Sequence, residues 1–508
     1  MELSFEQKEE IGLKYVRDLL EPASPYGVKY LKNEGFYGPA QQAALEEELK
    51  NVALLLEALR EDEAGLRDVQ HSLSYLKELS GSLENCAHQA LTEVELFELS
   101  ALCRRLGELK CLAEKLAVYA ALHGVAFTSP EGALRVLDPE DSGRQSFYVE
   151  DGRTPALERV RAEKRRLETA LRQAEGEERD RLQTLRQETA RAEEEELKRI
   201  YEAMSLALRP HLPALKANVA AAGRLDADIA KAILARRFGC VCPRIGGGAL
   251  RFEEAVHPQA AADMAARDRV FVPISLCLDR GVTLLTGANM GGKSLALKTV
   301  LLNTALALSG CFVFARDAQI PLFSRVELIN RDFADTSRGL SSFGGEILRL
   351  KEALVHLEEG GLSLIVMDEL ARGTNAREGA AILKGTVAYL SDKNAMTLLA
   401  THYDGAGALA VRHYQVKGLQ KMHQGDTGTV LSVPFFPEKM GRKEPSPWLH
   451  QKGAPWLRDG LRQIEQAMDY GLMEVPPGTD CPQDAIAICR LLGLPEEILR
   501  EGGTSHGE

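Results

Sequence analysis

No apolar run in the 508-residue chain approaches the roughly 20 residues needed to span a bilayer, which excludes a membrane-crossing helix within it. The opening stretch MELSFEQKEEIGLKYV is acidic and amphipathic and lacks an apolar signal-peptide core, so a cytoplasmic location is the expectation. Paired-cysteine metal half-sites are missing too. Nine cysteines are scattered, and only Cys240 and Cys242 lie close, with a single residue between them and no matching pair elsewhere. They read as reduced thiols. Excess positive charge is also lacking: 62 Lys and Arg stand against 74 Asp and Glu, for a net charge of −12. The whole-chain field therefore opposes nucleic-acid phosphates, and only a local basic patch could counter it. What the chain does have is an ordinary 45% apolar content, enough for a sizeable core, and a length suited to three or four units.

Residues 1–125 read as helices, with apolar residues at three- and four-residue spacing through LEEELKNVALLLEALRE and LFELSALCRRLGELKCLAEKLAVYAAL. The breakers Pro22, Ser24, Pro25 and Gly27 separate a first helix from the rest of this helical stretch. Near 126–155 the pattern changes to short extended pieces, ALRVLD and QSFYVED. From Thr154 to Met204 the chain is helical and highly charged, with Thr154 suited to an N-cap, Pro155 to the first helical position and Glu158 to the positive end of the dipole. Leu157, Val160, Leu167, Leu171 and Ala174 form one apolar seam; Leu182, Leu185, Ala192, Leu197, Ile200 and Met204 form a second. Gly176 lies between them. One uninterrupted helix, or two arms doubling back near Gly176, would each fit. Twelve Lys and Arg against thirteen Asp and Glu make this stretch a near-neutral, salt-bridged surface rather than a DNA-gripping one.

From 246 to 417 short β-rich runs, VTLLT, LSLIVMD and MTLLAT, alternate with helical patterns, which predicts a parallel sheet flanked by helices. Beyond 418 the chain is irregular and rich in Pro, Gly and Trp, then closes with CPQDAIAICRLLGLPEEILREG, a helical pattern. The Trp448–Trp456 region reads as a loop with two anchoring aromatics rather than a partner-docking insertion.

Three motifs in this α/β part carry chemistry. Gly287-Ala288-Asn289-Met290-Gly291-Gly292-Lys293-Ser294 follows a strand-like run, opens a helical pattern and matches G-x-x-x-x-G-K-[ST]. Its glycines let backbone N–H groups turn toward phosphate oxygens. Lys293 supplies a cation for the β- and γ-phosphates, and Ser294 offers a hydroxyl to Mg²⁺. Second, the run Leu362–Met367 ends in Asp368 and Glu369. Asp368 is placed to hold the Mg²⁺ shell and Glu369 to polarise an attacking water. Third, Met396–Ala400 ends in Thr401-His402-Tyr403; a histidine at the carboxyl end of a sheet strand can sense or hydrogen-bond the γ-phosphate.

These residues resemble the MutS family. GANMGGKS is similar to its GPNMGGKS, with Ala288 where proline is usual; LSLIVMDELARGTNAREG resembles its SLVLLDELGRGTSTxDG, with Ala371 for a glycine and Glu378 for an aspartate; Thr401-His402-Tyr403 matches its THY. Leu340-Ser341-Ser342-Phe343-Gly344-Gly345-Glu346 resembles its STFxxEM segment. The resemblance implies ATP and Mg²⁺ as cofactors, an ABC-type P-loop ATPase domain, and a dimer in which Ser341 and Ser342 meet the nucleotide of the other subunit. His257-Pro258 and Phe271-Val272-Pro273 look like its HP and FVPN segments, which places Phe271 against the adenine ring.

Upstream, Ser24-Pro25-Tyr26-Gly27, Tyr30-Leu31, YVEDGRTPALERVRAEKRRLE, Leu225-Asp226 and Ala230-Lys231-Ala232 resemble core and lever landmarks of the second MutS subfamily. The implied organisation is a helical core (1–125), a lever with antiparallel arms turning near 176 (126–245), a MutS-type P-loop ATPase domain (246–417), and an irregular insertion with a C-terminal helical segment (418–508). In that subfamily a DNA-contacting clamp separates the arms; here there is no room for one, which favours the two-arm reading. The mismatch-reading domain and nuclease tail of relatives are not expected either. A motor without a DNA grip points first to a dimeric ATPase that remodels a protein partner, similar to the component proposed to reactivate the cobalamin-dependent lysine 5,6-aminomutase. The alternative is a DNA-binding ATPase related to mismatch repair or recombination control. A nucleotide-binding scaffold without turnover is disfavoured by the intact Lys293, Asp368 and Glu369.

Overall fold

The computed structural model describes residues 3–139, 148–267, 269–287, 292–330, 342–403, 405, 407–419, 468–480 and 489. Two compact units emerge from its contacts: residues 1–21, 35–53 and 231–508 form one, and residues 22–34 and 54–230 the other. Among the described residues no helix is long and apolar enough to cross a membrane.

The first unit opens with α1 (Phe5–Glu10) and α2 (Leu13–Leu19). α3 (Pro25–Asn33) lies in the second unit, while α4 (Gln42–Glu61) contributes residues to both. The second unit continues with α5 (Glu63–Ser74), α6 (Ser80–Asn85), α7 (Glu93–Ala113), α8 (Glu131–Leu137), α9 (Pro155–Leu171), α10 (Gly176–Leu208) and most of α11 (Leu212–Phe238). Its described residues contain no strand. α3 starts on an N-cap from Ser24 with Pro25 in the first turn. That cap is itself held: Asp226 of α11 accepts from Ser24 Oγ at 2.6 Å and from the Ser24 and Ala23 amides at 2.7 and 2.8 Å. Gly27 must lack a side chain, because a Cβ there would collide with the Asp226 carboxylate.

α9 and α10 pair antiparallel, the partner number falling as the residue number rises: Thr154 with Glu196, Arg161 with Glu193, and Glu168 with Arg186. Leu157, Leu167, Ile200 and Met204 are buried along the pair. Two residues of the expected second seam do not join them, for Leu185 and Ala192 are exposed. A two-helix arm leaves little area to cover, and here long charged side chains cover it: Arg161 and Lys164 both reach Glu193, at 2.9 and 2.5 Å. The expected extended piece ALRVLD is corrected as well. Ala133–Leu137 belongs to α8, whose first amide to bond back is Leu134, donating to Pro130 O at 3.0 Å; the run is made of good helix formers on a proline start.

In the first unit the remaining elements are β1 (Arg244–Ile245), β2 (Leu250–Ala255), α12 (Pro258–Ala265), β3 (Ile274–Leu278), β4 (Gly281–Thr286), α13 (Lys293–Leu308), β5 (Asp317–Ile320), β6 (Arg325–Ile329), α14 (Ser342–Glu358), β7 (Ser363–Asp368), α15 (Ala376–Ser391), β8 (Ala395–Ala400), β9 (Arg412–Leu419) and β10 (Met468–Val475). They build a four-stranded sheet, β1-β5-β2-β3, and a six-stranded sheet, β10-β9-β4-β8-β7-β6. In the larger sheet β9, β4, β8, β7 and β6 are parallel, and β10 closes one edge antiparallel. Its central strands β4 and β8 are buried at every position, as strands covered on both faces must be.

A fully buried ion pair ties this unit together. Lys231 Nζ of α11 donates to Glu48 Oε1 of α4 at 2.5 Å and to Ser309 O, at the C-terminal cap of α13, at 3.1 Å. Tyr37 Oη donates to the second Glu48 oxygen. Both charged side chains have no exposure, so hydrogen bonding inside the cluster must replace all their hydration.

Candidate functional site

The parallel register sets the site. Leu285 of β4 pairs with Ala400 of β8, and Ala400 with Asp368 of β7, so the three strands end level. Gly287, Glu369 and Thr401 therefore leave the same sheet edge. Such carboxyl edges of open parallel sheets are where ligands bind.

From β4 the chain turns through Gly287, whose φ of 148° is open only to glycine; a Cβ there would lie 2.9 Å from Val416 Cβ on β9. Ala288, Asn289, Met290 and Gly291 lie outside the described residues. Gly292, at φ 88°, caps α13. Lys293 is buried and its Nζ donates to Gly287 O at 2.7 Å, curling back over the loop's start. The N-terminus of α13, with its unsatisfied amides and its dipole, faces the same spot.

Ser294 hydrogen-bonds the Asp368 carboxylate. Burial raises the Asp368 pKa, opposed by the Ser294 bond and by the charges of Lys298 and Lys293. Its Oδ1 is buried without a hydrogen-bond partner. An orphaned carboxylate oxygen beside a serine hydroxyl suits Mg²⁺, which takes one or two protein oxygens and completes its shell with water and phosphate.

Glu369 follows with φ 56°, a left-handed conformation that costs about 1–3 kcal/mol in a residue other than glycine. Consecutive residues of an extended strand point to opposite faces. The left-handed turn lets both acids reach the start of α13. Glu369 Oε1 lies 4.0 Å from Lys293 Nζ and 3.8 Å from His402 Nδ1, and Oε2 pairs with Arg372. Burial lowers the His402 pKa, and the neighbouring Glu369 carboxylate opposes that shift. Ala371 is also left-handed, at φ 63°, which gives a physical reason for the glycine that the family resemblance places there. The turn is held by Glu346 Oε1, which accepts from Ala371 N at 3.2 Å, and by Tyr403 Oη, which donates to Ala371 O at 3.3 Å. Gly379 lies directly under that tyrosine, 2.5 Å from Cβ position to Oη. Replacing Gly379 by Ala is expected to displace Tyr403 and destabilise the fold by about 1–3 kcal/mol, measured as a lower urea midpoint.

Phe271 is buried and lines a shallow recess with Gly292, Leu295, Ala296 and Tyr470. Tyr470 was not legible as a site residue: it stands on β10, beyond the 420–467 stretch, and reaches Gly292 only because β10 pairs with β9. Ser341 lies outside the described residues, and so does the Trp448–Trp456 region. Ser342 begins α14, on the helix that carries Glu346.

The geometry is that of a P-loop nucleotide-binding domain. Residues 283–434 match the family MutS domain V. The chain is 31% identical over 286 residues to "Endonuclease MutS2" of Carboxydothermus hydrogenoformans, covering 54% of this chain and 34% of that protein. It is 35% identical over 219 residues to "Endonuclease MutS2" of Geobacillus thermodenitrificans, covering 42% and 27%. Against "DNA mismatch repair protein MutS" of Listeria innocua it is 33% identical over 177 residues, covering 35% and 20%. These matches thus span about a third or less of each relative's length, and they support a MutS-type ATPase domain.

Proposed function

We propose that this chain binds ATP with Mg²⁺ and hydrolyses it, and that the work is coupled to DNA. The observation that carries the first part is the buried, partnerless Oδ1 of Asp368 beside the Ser294 hydroxyl, in the first turn of a helix whose N-terminus follows a phosphate loop. Lys293 would exchange Gly287 O for the β- and γ-phosphates. Ser294 and Asp368 would hold Mg²⁺, which supplies charge neutralisation on the phosphates. Glu369 would orient and polarise the attacking water, with His402 beside the γ-phosphate. Phe271 and Tyr470 would flank the base, and Gly287, Asn289, Met290, Gly291 and Gly292 would cradle phosphate oxygens. Ser341 and Ser342 would act across a homodimer, as the family resemblance implies.

For the target, the relatives are named for mismatch repair and endonuclease work, which favours DNA over the protein-remodelling role that the sequence first pointed to. The net charge of −12 and the near-neutral α9–α10 pair favour that other role, a reactivase-like ATPase. Fluorescence anisotropy on duplex DNA separates the two. Binding is expected at low salt, with affinity falling steeply between about 50 and 200 mM as contacted phosphates regain counterions. Absence of binding at low salt, with and without ATP, would leave the protein-partner reading.

A further inference from the structure

α1 lies more than 270 residues before the phosphate loop in sequence, yet it reaches the same sheet edge. Gln7 Nε2 donates to Leu328 O on β6, and Glu10 then extends past the end of that strand. One Glu10 oxygen accepts from Asn330 Nδ2 at 2.5 Å, and the other lies 3.2 Å from Lys298 Nζ. Both partners flank Asp368. Ile329 pairs with Met367, so Asn330 stands next to Asp368 at the ends of β6 and β7. Lys298 lies four residues after Ser294, on the same face of α13, and Ser294 is bonded to Asp368. Arg349 of α14 also donates to Asn330, at 3.4 Å.

We propose that Glu10 is a positioning residue of the Mg²⁺ site: its carboxylate holds Lys298 and neutralises a charge that would otherwise repel the metal from Asp368. An ammonium one helical turn from a metal-binding serine adds a repulsive charge to the site, and a carboxylate in contact with it cancels most of that field. Asn330 fixes the carboxylate from its other side.

The inference rests on the Mg²⁺–nucleotide reading, and the test separates the two. Binding of a fluorescent mant-ADP is titrated with Mg²⁺ at equilibrium, and Mn²⁺ binding is followed by electron paramagnetic resonance, both on the full chain. Glu10→Gln is expected to raise the Mg²⁺ concentration at half-saturation about tenfold. The double variant Glu10→Gln/Lys298→Met should return it close to wild type, and Lys298→Met alone should leave it unchanged or lower it. A purely structural contact would instead make the double variant as poor as either single one. An unchanged Glu10→Gln half-point, or a raised half-point in Lys298→Met, overturns the proposal. Should Glu10→Gln fail to fold, the Lys298→Met result still decides. Wild type showing no Mg²⁺-dependent binding would remove the underlying reading.

Discussion

Glu369→Gln is expected to lower ATP turnover by about 10²–10⁴-fold, the usual span for a general base, while ATP binding stays within a few-fold of wild type. The substitution keeps shape and removes charge. Lys293 and His402 keep their places, since neither depends on Glu369 for a close contact: Lys293 bonds the Gly287 carbonyl, and His402 stands 3.8 Å away. Single-turnover hydrolysis alongside equilibrium nucleotide binding checks the pair of outcomes. Turnover unchanged in this variant would remove Glu369 from the role assigned to it. Loss of binding together with turnover would mean that the carboxylate shapes the site rather than activating water.

The second large effect concerns stability. Lys231→Met is expected to destabilise the first unit by about 3–5 kcal/mol, because it leaves the Glu48 carboxylate buried without its cation. Tyr37 Oη still donates one hydrogen bond to it, and Ser309 O loses a donor. The urea midpoint followed by circular dichroism measures the loss. Adding Glu48→Leu to the same chain should recover much of it, since an apolar pair of similar volume meets neither desolvation penalty. A double variant as unstable as the single one would show that the cost lies in packing around α13 rather than in charge.

The site's own strands and their ends were legible, and the reason is local. β4, β7 and β8 are buried almost throughout, so they read as unbroken apolar runs, and each ends at or within two residues of a candidate site residue, Gly287, Asp368 or His402. Glu10 and Tyr470 were not legible, because tertiary contacts alone bring them in: Glu10 arrives from α1 across 320 positions to Asn330, and Tyr470 arrives through the β9–β10 pairing. Glu346 stood inside a recognised motif, but only the fold shows that its carboxylate secures the Ala371 turn. The arm seam was half legible. Leucines at regular spacing mark where a helix can pack, but Leu185 stays exposed, and further along α10 charge pairs with Glu193 hold the two helices together. The α8 segment misled because ALRVLD is too short for any period to dominate, and Pro130 before it reads as a breaker.

The level endings of β4, β7 and β8 turn distances at the site into a matter of counting. Side chains alternate faces along a strand, so sliding β7 by a single residue against β8 would put Met367 opposite Ala400 and carry Asp368 some 3.3 Å past Ser294. No side-chain rearrangement restores such a step. A one-residue insertion or deletion within Ser363–Asp368 therefore strikes the chemistry as directly as replacing Asp368. Length added between β9 and β10 leaves that count untouched.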